Sequence, residues 1–281
     1  MNESNKKKVY VYLLPNLMTA GNLFFGFMAI LNIFEGTIIR RAGDTGWEHY
    51  YEMSLYCILG AFICDMLDGR LARLGGQESP FGREFDSLAD VVSFGVAPAL
   101  LLFKIVLYEL PNRVGWFIAF IYLACGALRL ARFNVLAADP ENKSLKEFKG
   151  FPIPAAAGLI ASITLLLLHI YEKVDQIGNW KYLLAVLMIF LSFMMFSGVS
   201  YPSFKALDWK TRRPFRQVVL LILLLGVALL NYTYSLALFF TGYLLYGFLR
   251  PYLSRKWRPG PDIEESSDDD ESAPPSTAPA P

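Results

Sequence analysis

Long apolar stretches divide the chain into segments of the length that a helix needs to cross a membrane. The hydrocarbon core of a bilayer is about 30 Å thick, so one crossing takes about 20 residues. The first stretch follows Lys6, Lys7 and Lys8 and runs to about Phe34, without the small-residue cleavage pattern of a secretion signal. Further stretches follow at roughly 52–74, 84–108, 114–133, 153–172, 180–199, 217–232 and 234–252. The pattern predicts an all-α polytopic membrane protein of about eight transmembrane helices, with six or seven crossings as the alternative.

The composition supports a membrane protein and excludes several other classes. Hydrophobic residues make up 54% of the 281 residues and charged residues 18%, whereas soluble domains carry about 25% charged residues. The net charge is +1, which gives no support to a nucleic-acid partner. Cys57, Cys64 and Cys125 lie in apolar runs without a CxxC pair, and His49 and His169 are far apart. A disulfide scaffold and a zinc site are therefore excluded, and any metal must be held by carboxylates.

The Lys and Arg residues are distributed unevenly between the two sides of an eight-span arrangement. Most of the 26 fall in the termini and in the connections that follow even-numbered spans. Because basic residues accumulate in cytoplasmic connections, a multi-pass protein of the cytoplasmic membrane is predicted, with both termini in the cytoplasm. The expected domains are a basic N-terminus over 1–12, a transmembrane domain over 13–253 that carries the candidate chemistry, and a disordered, acidic, Pro- and Ser-rich tail over 254–281.

Four aspartates lie within or beside the second and third apolar stretches. Asp65 and Asp68 are three positions apart and Asp86 and Asp90 four, so each pair shares one face of a helix. A short cytoplasmic turn between the two helices would direct all four side chains to one place. An aspartate at the centre of a membrane helix costs about 2.5 to 3.5 kcal/mol, so such a group indicates a functional site. Oxygen ligands alone favour Mg²⁺ or Mn²⁺, four carboxylates suffice for two such cations, and two metals suggest phosphoryl chemistry.

The residues between these aspartates would leave room for a phosphate ligand. Gly69 and Ala72 keep their face of the helix bare, and Gly82 has the same effect on the next helix. Arg73 supplies a guanidinium for phosphate oxygens. These residue types therefore agree with phosphoryl chemistry.

The eight residues form one pattern with fixed spacing, Asp65-x2-Asp68-Gly69-x2-Ala72-Arg73-x8-Gly82-x3-Asp86-x3-Asp90. The pattern is the complete signature of the CDP-alcohol phosphatidyltransferases, and the chain resembles that family. The resemblance implies a common core of six helices and a homodimer embedded in membrane lipid. It also implies a metal-assisted direct displacement, in which an acceptor alcohol attacks the lipid-side phosphorus of CDP-diacylglycerol and CMP leaves.

The resemblance also implies a role for each matching residue. Asp65, Asp68 and Asp86 would bind two divalent cations, Mg²⁺ or Mn²⁺, while Asp90 would complete the shell of the second cation and act as general base. The CDP-diacylglycerol site would include Gly69, Ala72, Arg73, Ser79 and Gly82.

Polar residues on one side of the first span leave two interpretations open. Asn16, Thr19 and Asn22 are spaced three residues apart. They would either contact CDP-diacylglycerol or form hydrogen bonds between helices.

Four other segments resemble the membrane-embedded branch of the family whose acceptor is serine: Pro15-Asn16-x2-Thr19-x2-Asn22-x3-Gly26, and residues 126–134, 149–158 and 201–205. The expected reaction transfers the phosphatidyl group of CDP-diacylglycerol to the hydroxyl of L-serine, which gives phosphatidylserine and CMP. The alternatives are another acceptor, namely glycerol phosphate, inositol phosphate or choline, and, more remotely, a cation transporter.

A serine site needs a cation for the carboxylate of the amino acid. Arg129 and Arg132 lie three positions apart at the cytoplasmic end of the fourth span, and Lys149 precedes the fifth. All three are candidates for binding serine. The alternative is that they contribute only to the cytoplasmic excess of basic residues or bind lipid phosphates.

Overall fold

The structure is a computed structural model that describes residues 3–74, 80–138, 148–171, 179–197, 200–201 and 231–253. Contacts group the chain into two units, Met1–Phe248 and Leu249–Pro281. The site and the helices described below lie in the first unit, except for the end of the last helix. Of the second unit, the described residues are 249–253, which form the end of the last helix.

Helices account for nearly all of the described residues. They are α1 (Glu3–Ala42), α2 (Trp47–Leu74), α3 (Pro80–Asp90), a π-helical segment (Val91–Val96), α4 (Ala97–Ile105), 3₁₀ turns at Leu107–Glu109 and Pro111–Arg113, α5 (Val114–Ala138), α6 (Ile153–Tyr171), α7 (Trp180–Phe196) and α8 (Tyr232–Leu253). The two-residue strands β1 (Phe148–Lys149) and β2 (Ser200–Tyr201) form an antiparallel pair. The predicted all-α class is therefore confirmed.

Five described segments are long and apolar enough to cross a membrane: Pro15–Ala42, Trp47–Leu71, Pro80–Ile105, Pro111–Leu136 and Ile153–Ile170. The protein is thus embedded in a membrane through several helices. The apolar helix Tyr182–Phe196 is shorter. The predicted count of eight is not confirmed, since most of the predicted span at 217–232 lies outside the described residues.

The first helix extends beyond the predicted end near Phe34, as far as Ala42. It ends where Gly43 adopts a φ of +78°, a conformation that favours glycine. The N–H of Gly43 donates to the Arg40 carbonyl and that of Asp44 to the Ile39 carbonyl, both at 3.2 Å. These two bonds form a Schellman motif. Hydropathy predicts where the apolar stretch ends, whereas the helix itself continues to Gly43, which adopts the conformation that terminates it.

The third span is predicted as one helix over 84–108, but it consists of α3, the π-helical segment and α4. Pro98 lies in the first turn of α4 and has no N–H to offer the carbonyl of Phe94, four residues earlier. The N–H of Ala97 donates to the carbonyl of Val92, five residues earlier, in the π-helical manner. The change in helix type directly after Asp90 therefore precedes a position where a regular helix would lack a donor.

Helix α6 lies in the core, packed with small residues. Ala155, Ala156, Ala157 and Gly158 are buried, and the Phe240 ring of α8 lies directly over Gly158. Such residues let membrane helices approach closely. The Phe240 ring also meets the Phe62 ring of α2 edge to face, with 5.3 Å between centroids. The close approach at Gly158 therefore brings α2, α6 and α8 together.

Replacing Gly158 with Ala should destabilise the protein. The new Cβ would lie 2.5 Å from Cε1 of Phe240 and force the ring or helix α8 to move. Overpacking of this kind costs about 1 to 3 kcal/mol, so thermal unfolding in detergent should show a lower Tm. The matched control is Gly242→Ala on α8, where a Cβ would have nothing within 4 Å. Equal Tm values for the two variants would contradict this packing.

Candidate active site

Three of the four predicted aspartates meet where α2 approaches α3. Carboxylate oxygens of Asp65, Asp68 and Asp86 lie within 4.8 Å of one another. Oxygens bound to one Mg²⁺ at about 2.1 Å are at most about 4.2 Å apart, so small side-chain rotations would allow the three to share a cation. The donors are carboxylate oxygens only, as a hard divalent cation requires. This group could therefore hold a metal ion, as the sequence predicts.

Asp90 lies beside this group, at the end of α3. Its carboxylate is buried, with 5% exposed, and it is repelled electrostatically by Asp65, Asp86 and Asp68. The helices thus bring all four aspartates close together. The carboxylate oxygens that lie within 4.8 Å of one another belong to three of them, Asp65, Asp68 and Asp86. Asp90 is therefore adjacent to the candidate metal site and not one of its closest three donors.

Helix α1 supports two of these carboxylates through hydrogen bonds. Thr19 Oγ1 lies 3.1 Å from Asp68 Oδ2, and Asn22 Nδ2 donates to Asp90 Oδ1 at 3.0 Å. Both donors are buried, with 3% and 0% exposed. Hydrogen bonding between helices is thus what the structure shows for Thr19 and Asn22. Their contact with CDP-diacylglycerol stays a prediction, as it does for half-buried Asn16.

The residues proposed for the nucleotide lipid lie on the same two helices. Ala72 and Arg73 are in the last turn of α2, and Gly82 is in the first turn of α3. At Gly69 a Cβ would meet nothing within 4 Å, so there is open space beside the backbone next to Asp68. This agrees with the predicted room for a ligand. Ser79 lies outside the described residues.

The candidate serine-binding residues separate in the structure. Arg129 on α5 is largely buried and interacts electrostatically with Asp90 and with Tyr243 of α8. Its Nε is buried without a hydrogen-bond partner. Arg132 is exposed, and Lys149 lies in β1. The structure therefore places Arg129 near Asp90.

Sequence reasoning missed a contact that joins α5 to α3. Asn134 Nδ2 lies 2.9 Å from Ser87 Oγ and 3.3 Å from Glu84 Oε2. Asn134 belongs to a segment that sequence analysis singled out, but its partners lie 47 and 50 positions earlier. Local spacing carries no signal for such a pair, because it depends on how the two helices pack.

The fold and the site define an all-helical, polytopic membrane protein with an acidic site suited to a divalent cation. The family model for CDP-alcohol phosphatidyltransferase matches residues 12–196. The chain belongs to this family.

Three relatives of the chain are named CDP-diacylglycerol–serine O-phosphatidyltransferase. The Helicobacter pylori (strain ATCC 700392 / 26695) protein is 35% identical over 240 residues, which cover 85% of this chain and 91% of the relative. The Bacillus subtilis (strain 168) protein is 33% identical over 192 residues, or 68% and 91% of the two chains. The Mycobacterium leprae (strain TN) protein is 40% identical over 167 residues, or 59% and 50%.

Replacing Asp68 with Asn should weaken Mn²⁺ binding, because it removes a charged ligand from the buried part of the group. We expect a loss of affinity of about tenfold or more, since even the loss of an outer partner of a metal ligand costs about 10- to 100-fold. Isothermal titration calorimetry of the purified protein would measure it. Glu35→Gln, which removes an exposed carboxylate from α1, is the control. Unchanged affinity in Asp68→Asn, with Tm preserved, would contradict the assignment.

Proposed function

We propose that the chain transfers the phosphatidyl group of CDP-diacylglycerol to the hydroxyl of L-serine, giving phosphatidylserine and CMP. The observation that carries the proposal is the meeting of Asp65, Asp68 and Asp86 within 4.8 Å at the family motif, with Asp90 beside them. Serine as the acceptor is supported by the name of the relative from Helicobacter pylori, whose similarity extends over most of both chains.

Asp90 is the proposed general base. Asn22 donates to its Oδ1 atom, so Oδ2 is the oxygen that would accept the proton of the serine hydroxyl. The serine oxygen then bonds to the lipid-side phosphorus, the bond from that phosphorus to the CMP oxygen breaks, and CMP leaves. The hydrogen bond from α1 holds the carboxylate in one orientation for this transfer.

The donor would lie along α2 and α3. Gly69 and Ala72 leave space for the diphosphate, Arg73 would bind its oxygens, and Gly82 and Ser79 would border the nucleotide lipid. Asp65, Asp68 and Asp86, with Asp90 completing the shell of the second cation, would hold two divalent cations, Mg²⁺ or Mn²⁺. When bound, these cations would neutralise the diphosphate and the departing CMP.

Arg129 is the proposed partner of the serine carboxylate. Its guanidinium is largely buried and its Nε has no hydrogen-bond partner. The Nε–H group can therefore donate to a bound carboxylate without breaking an existing hydrogen bond. Its electrostatic interaction with Asp90 indicates that a carboxylate bound there would lie near the base. Arg132 and Lys149 would add positive charge around the entering amino acid.

The setting of the reaction follows from the charge pattern. The excess of basic residues on one side supports a cytoplasmic membrane protein with its active site and both termini facing the cytoplasm, where free serine is available. The resemblance to the family supports a homodimer.

Labelled acceptors test the proposed reaction directly. The purified chain is incubated with CDP-diacylglycerol and Mn²⁺ together with labelled serine, glycerol phosphate, inositol phosphate or choline. We expect lipid-soluble label from serine and an equal amount of released CMP. Label from another acceptor but not from serine would overturn the choice of acceptor. Absence of CMP release with every acceptor, together with Mn²⁺ uptake into vesicles that contain the chain, would favour the cation transporter.

Replacing Arg129 with Gln should raise the KM for serine far more than the KM for CDP-diacylglycerol. A charged hydrogen bond contributes about 1.5 to 3 kcal/mol, which corresponds to about 10- to 100-fold in affinity. Arg129→Lys, which keeps the charge but loses the forked donor geometry, should have an intermediate effect. The control is Arg41→Gln, an exposed arginine at the end of α1. Equal increases for both substrates would remove Arg129 from the acceptor site.

A further inference from the structure

The π-helical segment directly follows Asp90, and its Phe94 carbonyl cannot be paired as it would be in a regular helix. In a regular helix the Phe94 carbonyl would accept from residue 98, but that residue is Pro98 and has no N–H. The hydroxyl of Tyr122 on α5 donates to this carbonyl at 3.0 Å. Tyr122 and Phe94 are both 0% exposed. A side chain from another helix therefore satisfies a buried carbonyl that the proline leaves available.

The same segment is joined to α1 on its other side. Ser93 Oγ donates to the carbonyl of Asn22 at 2.9 Å, and Ser93 is fully buried. The two elements approach so closely at this point that a Cβ on Gly26 would lie 2.7 Å from Ser93 Cα. The position of α1 relative to the π-helical segment is thus fixed by both a hydrogen bond and backbone contact.

Asn22 connects this junction to the site. Its backbone carbonyl accepts from Ser93, and its side-chain amide donates to Asp90. The chain from Asp90 to Phe94 is therefore held at three points by two other helices. Because Asp90 is three residues before Ser93, a displacement of the segment would move the carboxylate as well.

We propose that Tyr122 and Ser93 are positioning residues for Asp90. Tyr122 bonds to the π-helical segment from α5, and Ser93 ties the segment to the Asn22 carbonyl of α1, so that the carboxylate can reach the acceptor hydroxyl. This inference rests on the proposed function, in which Asp90 accepts that proton. Neither residue needs to touch a substrate. The expected consequence is a defect in turnover without a defect in binding, because a misplacement of about 1 Å can cost about 100-fold in rate.

Two conservative variants with matched controls test the proposal. Tyr122→Phe removes only the hydroxyl, and its control is Tyr51→Phe, since Tyr51 is also buried and its hydroxyl lies 3.3 Å from Thr37 Oγ1. Ser93→Ala is paired with Ser192→Ala, whose buried hydroxyl donates within its own helix, to Met188 O. We expect kcat to fall about 10- to 100-fold in Tyr122→Phe and Ser93→Ala, with both KM values and the Mn²⁺ affinity retained. The controls should keep the kcat of the original chain.

A double variant separates positioning from general loss of stability. If Tyr122 acts through Asp90, adding Tyr122→Phe to Asp90→Asn should lower the single-turnover rate no further than Asp90→Asn alone. A purely structural effect would lower the rate by the same factor in both backgrounds, and that result would overturn the proposal.

The remaining outcomes distinguish this inference from the function on which it rests. If the original chain transfers phosphatidyl groups but Tyr122→Phe and Ser93→Ala behave like their controls, the positioning role is wrong and the proposed function stands. If the original chain transfers to no acceptor, the proposed function itself fails. Should Tyr122→Phe not fold in detergent, Ser93→Ala alone and combined with Asp90→Asn decides the question by the same criteria.

Discussion

Repulsion among carboxylates at the ends of membrane helices is the constraint on which this structure depends. Two unit charges 4.8 Å apart repel by about 3.5 kcal/mol at an effective dielectric constant of about 20, and three carboxylates have oxygens within that distance. Hydrogen bonds from Thr19 and Asn22 stabilise the charged forms of Asp68 and Asp90, and Arg129 adds an attractive charge near Asp90. A divalent cation shared by the three oxygens would attract each carboxylate and so offset their mutual repulsion. The same arrangement that is costly without a ligand is therefore suited to bind one.

This constraint explains why the site takes support from helices that are distant in sequence. The carboxylates lie on α2 and α3, but their hydrogen-bond donors come from α1, and the helix after Asp90 is held by α5. Pro98 contributes by removing the N–H that a regular helix would offer to the Phe94 carbonyl, and the Tyr122 hydroxyl of another helix donates to that carbonyl. A proline that weakens a helix locally thus creates a specific contact between two helices, next to the carboxylate whose position matters most for the proposed reaction.

The sequence was sufficient to predict the all-α membrane class and the meeting of Asp65, Asp68 and Asp86. Both depend on local properties, namely apolar length and helical periodicity, which a single chain displays directly. The contacts of Tyr122 and Asn134 could not be predicted, because their partners are 28 to 50 positions away and the pairing depends on the packing of helices. The interruption of the third span had a visible signal in Pro98, but a proline alone does not determine whether a helix kinks, ends or widens.

The proposed donor and acceptor residues lie on different elements, and this separation bears on how the acceptor is selected. The motif residues that would bind CDP-diacylglycerol are on α2 and α3 or in the connection between them, whereas Arg129 is on α5 and Lys149 in β1. Substitutions on α5 and β1 could therefore alter the choice of acceptor without disturbing the carboxylates on α2 and α3. In the proposed reaction Asp90 would serve both sides, because it would complete the shell of the second cation at the diphosphate and also accept the proton of the entering hydroxyl. It is also the aspartate whose surroundings are contributed by α1 and, through the π-helical segment, by α5. The proposed base would lie between two subsites, and a shift toward either substrate would misplace it for the other. Contacts from both α1 and α5 would limit such a shift.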